Sequence, residues 1–254
     1  RLRSCWRKIN KKENMKTCKV IVLLVLLVSC WNCAEPELGI EEEILFDAEL
    51  NLLPENVTVA DLLRDNSPEE FKQATGKILG NTLGRRLLLR VKSIPNRPLI
   101  YFWPIMDKDG NLVMGVDGEL RYYGMGRIDY NEKILRDANR DELLFHEFFH
   151  FFQNGNLLPN RNLNNEVEAY VAQYLYATSK PGGGAPKIIN SLFTYMIRKL
   201  VSDIDRSTGN FLHGVDIDAF YKNYQAALDY LSMMPAYSDE GWYWNKIDKN
   251  VRPF

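Results

Sequence analysis

The pentapeptide His146-Glu147-Phe148-Phe149-His150 sets two histidines four residues apart, with a glutamate directly after the first. On a helix, residues four apart project from one face, so the two imidazoles can converge on a single cation. Glu147 lies three residues before His150 on the same side, where its carboxylate can take a proton from a water that the cation activates. The chemistry this spacing predicts is metal-assisted hydrolysis. A buried helix carrying two hydrogen-bonded core histidines is the plainer alternative. It is weakened by there being only three histidines in the 254-residue chain.

The flanking residues supply the helix. From Asp141 to Gly155 the sequence is acidic in its first turn, closes on Asn154-Gly155 and has Pro159 beyond, which are helix start and stop signals. Apolar side chains cover nearly its whole circumference, which predicts burial, and a His-Glu-His set buried there is costly unless a cation compensates it. A second helix is predicted over Asn164 to Tyr174, with Ala169 and Ala172 as small residues that let a neighbouring helix approach closely. It offers Glu166 as a third protein ligand and leaves a fourth position open. Glu168 is turned about 200° from Glu166 around the helix, so only one of the two can face the histidines. Glu166 is preferred, and Glu168 is read as a solvated charge. His213, in the loop-like run Ser207 to Gly214, is read as a loop histidine or a donor on the substrate side.

In these residues the sequence resembles the gluzincin branch of the zincin metallopeptidases, the thermolysin-like arrangement of HExxH on one helix and a glutamate ligand on the next. The resemblance lies in His146, Glu147, His150 and Asn165-Glu166-x-x-Ala169. It implies an α+β, zincin-like fold: a small mixed β-sheet over the active-site helix and a mainly helical C-terminal half. It further implies Zn²⁺ held by His146, His150 and Glu166, Glu147 as the catalytic base, and a peptide or protein substrate. A second donor beside the developing oxyanion is expected, with Tyr170, Tyr195 and His213 unranked. Four residues after the ligand glutamate the family often has an aspartate that orients the first histidine; this chain has Tyr170. The interval from His150 to Glu166 is also shorter than in thermolysin-like enzymes. The metzincin pattern asks for Gly and His three and six residues after the second histidine and meets Gln153 and Asn156 instead.

The N-terminal residues address the compartment. Met15 with Lys16 and Lys19 and the apolar run from residue 20 to 28 form a secretory leader too short to span a bilayer. Leu27-Val28-Ser29-Cys30 resembles the bacterial lipobox, which implies lipidation at Cys30 and attachment of the chain to a membrane outside the cytoplasm. Residues 1–14 are read as an upstream extension, 15–29 as signal peptide, 30–56 as an acidic tether and 57–254 as one metallopeptidase domain. All four cysteines lie within the first 33 residues, so the body has neither a disulfide framework nor a thiolate metal site. Residues 30–254 carry 24 Lys and Arg against 32 Asp and Glu, a net charge of −8, which argues against a nucleic-acid partner.

Along the body, Ser67-Pro68-Glu69-Glu70 predicts a helix to about Gly80, with Ser67 as its cap. Strand-like runs follow at Leu87 to Val91, Leu99 to Met106 and Leu120 to Asp129, with a turn at Asp107 to Asn111. The run from Arg121 to Asp129 is expected to border a substrate cleft as an exposed strand edge. Pro181 to Pro186 is a loop, and helices are predicted at about Pro186 to Ile204 and Asp216 to Met233. The expected function is a secreted, lipid-anchored zinc metallopeptidase. Two rivals share the same residues. One is a surface lipoprotein that keeps the fold for binding alone, with Trp242-Tyr243-Trp244 as an aromatic patch; the other is a zinc amidase acting on cell-wall peptide.

Overall fold

The computed structural model describes residues 56–106, 109–110, 120–154, 162–186, 188–206, 209–235 and 237, leaving aside the side chains of 120–124 and 154. The leader, Cys30, the tether up to residue 55, most of the Asp107–Asn111 turn and the Trp242–Trp244 cluster lie outside these residues. The chain separates into two units, Arg1–Leu52 and Leu53–Phe254, and all the described residues belong to the second.

The fold is mixed and dominated by helices, which is compatible with the expected α+β class. In chain order its elements are α1 (Val59–Leu62), α2 (Glu69–Leu79), α3 (Thr82–Ser93), β1 (Tyr101–Pro104), β2 (Leu120–Gly124), β3 (Arg127–Tyr130), a 3₁₀ turn (Glu132–Arg136), α4 (Arg140–Asn154), α5 (Leu163–Ser179), α6 (Ser191–Val201) and α7 (Ile217–Ser232). The short α1 is stabilised by a capping box in which Thr58 and Asp61 satisfy each other's backbone N–H.

The fold corrects three sequence expectations. Leu87 to Val91 is not a strand but the middle of α3. Read from its cap Asn81, whose side chain accepts from the Gly84 N–H, the buried positions 83, 87, 88 and 91 follow the helical period, while a five-residue window hides it. Leu120 to Asp129 is not one strand but the hairpin β2–β3. Its turn residues Met125 and Gly126 have φ of 48° and 79°, the two successive left-handed residues of a tight primed turn. The expected single cleft-edge strand therefore does not exist in that form. Finally, Ser67 does not cap α2: its hydroxyl is buried without a hydrogen-bond partner, and the helix begins after Pro68.

The three strands form one mixed sheet in the order β1-β3-β2, with β1 parallel and β2 antiparallel to the central β3. A parallel bridge between Leu63 and Ile100 extends the pairing beside β1. Helix α4 packs against β2, α2, α3 and α5, and α5 in turn against α6 and α7. Two apolar clusters result. One joins α2, α3 and the sheet to Leu144, Phe145, Phe148, Phe149 and Phe151 of α4. The other joins α6 and α7 to Val167, Val171, Tyr174 and Leu175 of α5. Helix α5 thus lies between both cores, and it meets α4 through Ala169 and Ala172, each wholly buried in the first cluster. Small side chains at this contact are what bring the two backbones close.

Candidate metal centre

Helices α4 and α5 run antiparallel. Asp141 and Glu142 at the start of α4 meet Tyr176 and Lys180 at the end of α5, while Gln153 near the end of α4 meets Asn165 and Glu168 near the start of α5. Between these ends the helical period turns His146 and His150 toward α5 and Glu166 toward α4.

His146 Nε2 and His150 Nε2 stand 3.0 Å apart. Glu166 Oε1 is 3.3 Å from His150 Nε2, and Oε2 is 3.7 Å from His146 Nε2. Zinc bonds of ordinary length at a tetrahedral angle put nitrogen and oxygen donors about 3.3 Å from one another, which is the mean spacing of this set. Among the described residues these three side chains form the one cluster of His, Cys, Asp or Glu whose donor atoms all lie within 4.8 Å of one another. All three are nearly buried, with side chains 8, 10 and 14 % exposed for His146, His150 and Glu166.

Hydrogen-bond logic fixes what the imidazoles present. The Gln153 amide nitrogen donates to the Asn165 carbonyl at 3.1 Å and to Glu168 Oε2 at 2.5 Å. Neither partner can donate, so the NH₂ must face them and the Gln153 oxygen must face His150 Nδ1, 3.0 Å away. Nδ1 therefore carries a proton, and in the neutral ring Nε2 offers its lone pair to His146 and Glu166. His146 Nδ1 and Gln173 Oε1 are both buried without a hydrogen-bond partner, and Gln173 is the side chain beside that ring. An Nδ1–H needs an acceptor and a carboxamide oxygen needs a donor, so a proton on Nδ1 suits the neighbouring Gln173 oxygen and leaves His146 Nε2 as a second lone pair. Two lone pairs and a carboxylate facing one point repel one another unless a positive charge sits among them. A divalent cation fits that donor set and its spacing.

Without a cation the positive charge is a proton. Burial, the largest single influence, pulls both imidazoles down, and for His146 it prevails. For His150 the opposite charge and hydrogen bond of Glu166, with Glu147 and Gln153 behind them, outweigh burial and hold the ring up at about 9. Burial pushes Glu166 toward neutrality, but the two imidazoles overcome it and keep the carboxyl far below its usual range.

The Glu147 carboxylate sits on the same turn of α4, with the residue 7 % exposed, and its charge is felt at both His150 and Tyr170. Tyr170 is at the site, though not as an orienting hydrogen bond to His146. Its ring lies against the His146 ring with centroids 4.5 Å apart, and its hydroxyl meets Tyr237 at 3.1 Å. Glu168 is not a solvated charge either, since it anchors the amide of Gln153. His213 lies exposed in a turn, and Tyr195 is 44 % exposed on α6 beside Arg198 and Lys199; neither belongs to the cluster.

Three members of the site were missed in the sequence. Gln153 and Gln173 carry a legible signal, because Gln153 is three residues after His150 and Gln173 seven after Glu166, each on the face of its helix that points inward. Tyr237, whose hydroxyl reaches Glu166 Oε2 at 3.3 Å, is brought in by the tertiary fold and has none. Searches against known protein families, curated protein sequences and solved structures find no match for this chain.

Proposed function

We propose that this chain is a zinc-dependent peptidase of zincin-like fold, secreted and held to a membrane through lipid at Cys30. The observation that carries the reading is the convergence of His146, His150 and Glu166 at mutual spacings of 3.0 to 3.7 Å, with the Glu147 carboxylate beside them. Support for the zincin-like architecture comes from the small mixed sheet that packs on α4 and from the ligand-bearing α5 alongside it.

His146, His150 and Glu166 would hold the ion, with Gln153 and Gln173 fixing the ring nitrogens that face it. Bound zinc supplies Lewis-acid polarisation of a substrate carbonyl and makes water acidic enough to attack at neutral pH. Glu147 accepts the proton of the attacking water and delivers it to the leaving amine nitrogen. A general base retained beside two histidines favours turnover over a fold kept only for binding.

The test is metal analysis of the purified chain, followed by digestion of a broad peptide library with and without chelator. The expected result is about one zinc per chain and chelator-sensitive cleavage. Glu147→Gln should keep the zinc and lose hydrolysis by about two to four orders of magnitude. Parent-like cleavage by Glu147→Gln would remove Glu147 from its role. Zinc binding with no peptide cleaved would favour the binding lipoprotein, and cleavage of cell-wall peptide alone would favour the amidase.

A further inference from the structure

Tyr237 touches the site without belonging to either of the helices that build it. After α7 the chain makes a turn in which Met233 and Met234 donate to Tyr230 and Leu231, and the Tyr237 N–H donates to the Met234 carbonyl at 2.9 Å. This turn lays the Tyr237 ring beside Tyr170 within the second apolar cluster, where Phe193 packs edge-on against Tyr170 with centroids 5.3 Å apart. The Tyr237 hydroxyl is 3.3 Å from Glu166 Oε2 and 3.1 Å from the Tyr170 hydroxyl.

The direction of these bonds follows from what each group can donate. A carboxylate only accepts, so Tyr237 directs its one proton to Glu166, and Tyr170 must then donate to Tyr237. The result is an ordered chain of O–H groups ending on one oxygen of the ligand carboxylate. That oxygen, Oε2, is the one paired with His146 at 3.7 Å, whereas Oε1, which Tyr237 does not engage, lies 3.3 Å from His150. A hydrogen bond on one carboxylate oxygen draws charge toward it and fixes the plane of the group. Oε1 is left directed at His150.

We propose that Tyr237 is a positioning residue for Glu166: the turn after α7 fixes the plane of the ligand carboxylate through Oε2, so that the group stays directed at the cation between the two imidazoles. This rests on the metal reading above and extends it from the α4–α5 pair to the far end of the domain.

The test compares the full-length parent with Tyr237→Phe and Tyr170→Phe. Zinc dissociation constants come from competition with a chromophoric chelator, ligand geometry from visible absorption of the Co²⁺-loaded proteins, and fold integrity from thermal unfolding without metal. Tyr237→Phe should bind zinc about 10- to 100-fold more weakly and shift the cobalt bands, with its metal-free midpoint close to the parent's. Tyr170→Phe leaves the Tyr237–Glu166 bond in place and should move both readouts in the same direction by less. Parent-like affinity and cobalt bands in Tyr237→Phe overturn the proposal. So does weaker binding that tracks a loss of metal-free stability while the cobalt bands stay put, for that is a packing role. If Tyr237→Phe does not fold, parent-like values in Tyr170→Phe overturn it instead. A parent that binds no metal overturns the metal reading itself, a different failure from a parent that binds while Tyr237→Phe binds equally well.

Discussion

At one end of the α4–α5 pair, Lys180 reaches Asp141 at 3.0 Å and Glu142 at 2.6 Å; at the other, His146 and His150 face Glu166. Both ends bury acidic groups between the same two helices, and Asp141, Glu142 and Glu147 are each less than 9 % exposed. The first end closes its charge with an ammonium the chain itself supplies, reinforced by the Tyr176 hydroxyl on Asp141 at 2.9 Å. The second offers imidazoles, which are cations only on condition. A permanent resident cation makes a structural staple; a conditional one, on the reading proposed above, leaves a place for an ion from outside. The difference is one of side-chain chemistry, since the backbone pairing is continuous between the two ends.

That comparison breaks most sharply at Glu166. Glu166→Ala should take zinc from about one per chain to near none, because a three-ligand site loses its only anion. Glu168→Ala and His213→Ala should each keep about one zinc per chain. Zinc analysis of the three purified variants decides it, and full retention by Glu166→Ala would move the ligand elsewhere. Lys180→Met should do the converse, leaving two buried acids without their cation. It should cost about 2 to 3 kcal/mol, below the roughly 3 to 5 kcal/mol of a fully buried pair because the ammonium is 24 % exposed. Zinc content should be unchanged; calorimetry and metal analysis of the same sample check both halves.

A smaller effect is expected from the residues that aim the rings. Gln153→Leu frees His150 Nδ1 from its acceptor and should weaken zinc binding about tenfold, at the low end for groups behind a ligand. Glu168→Ala, one bond farther out, should weaken it less, and chelator competition ranks the two.

The smallest effect is on pH dependence. His150 is held at about 9 in the fold against an unfolded value of about 6.5. Its contribution to the metal-free protein is therefore complete below that lower value and is lost as pH rises through about 9. His146, depressed by burial, works the other way, so its neutral buried form costs stability as pH falls below its ordinary value. Metal-free stability should peak near neutrality and fall toward alkaline pH, whereas zinc affinity should rise over the same interval as protons leave the imidazoles. Lys180 is held above its ordinary value by Glu142 and Asp141 against burial, so the staple should not contribute in that window. Urea unfolding of the metal-free parent across pH, with chelator competition at the same pH values, checks both trends.

The two site helices were legible because their information is local. The spacing of His146 and His150, the acidic first turn of α4, and the small residues Ala169 and Ala172 are each readable within a few turns of helix; rotation allowed only one of Glu166 and Glu168, and the preference for Glu166 came from the places the gluzincin resemblance gives to Ala169 and Tyr170. What failed, failed for identifiable reasons. The Leu87–Val91 window was too short to separate a helical period from a strand, and a Met-Gly turn lacks the Asn-Gly or Asp-Gly signature that announces a hairpin. The Ser67 cap was displaced by one residue because Pro68 already supplies the extended entry, with φ −52° and ψ 140°. Tyr237 was beyond reach altogether: its contact with Glu166 spans 71 residues, and no local pattern encodes a distance of that kind.

That span also bears on the order of assembly. The candidate ligands occupy one helical hairpin, with Glu166 16 positions after His150, whereas the loop closed by Tyr237 on Glu166 is 71 residues long. Closing the longer loop costs about 1.3 kcal/mol more in chain entropy, and short-range contacts form first. An ion can thus be captured by the nascent hairpin before the C-terminal turn arrives. With an ion bound as proposed, the Tyr237 turn would act as the latch on its release, and metal exchange in the finished protein should be slower than metal uptake during refolding.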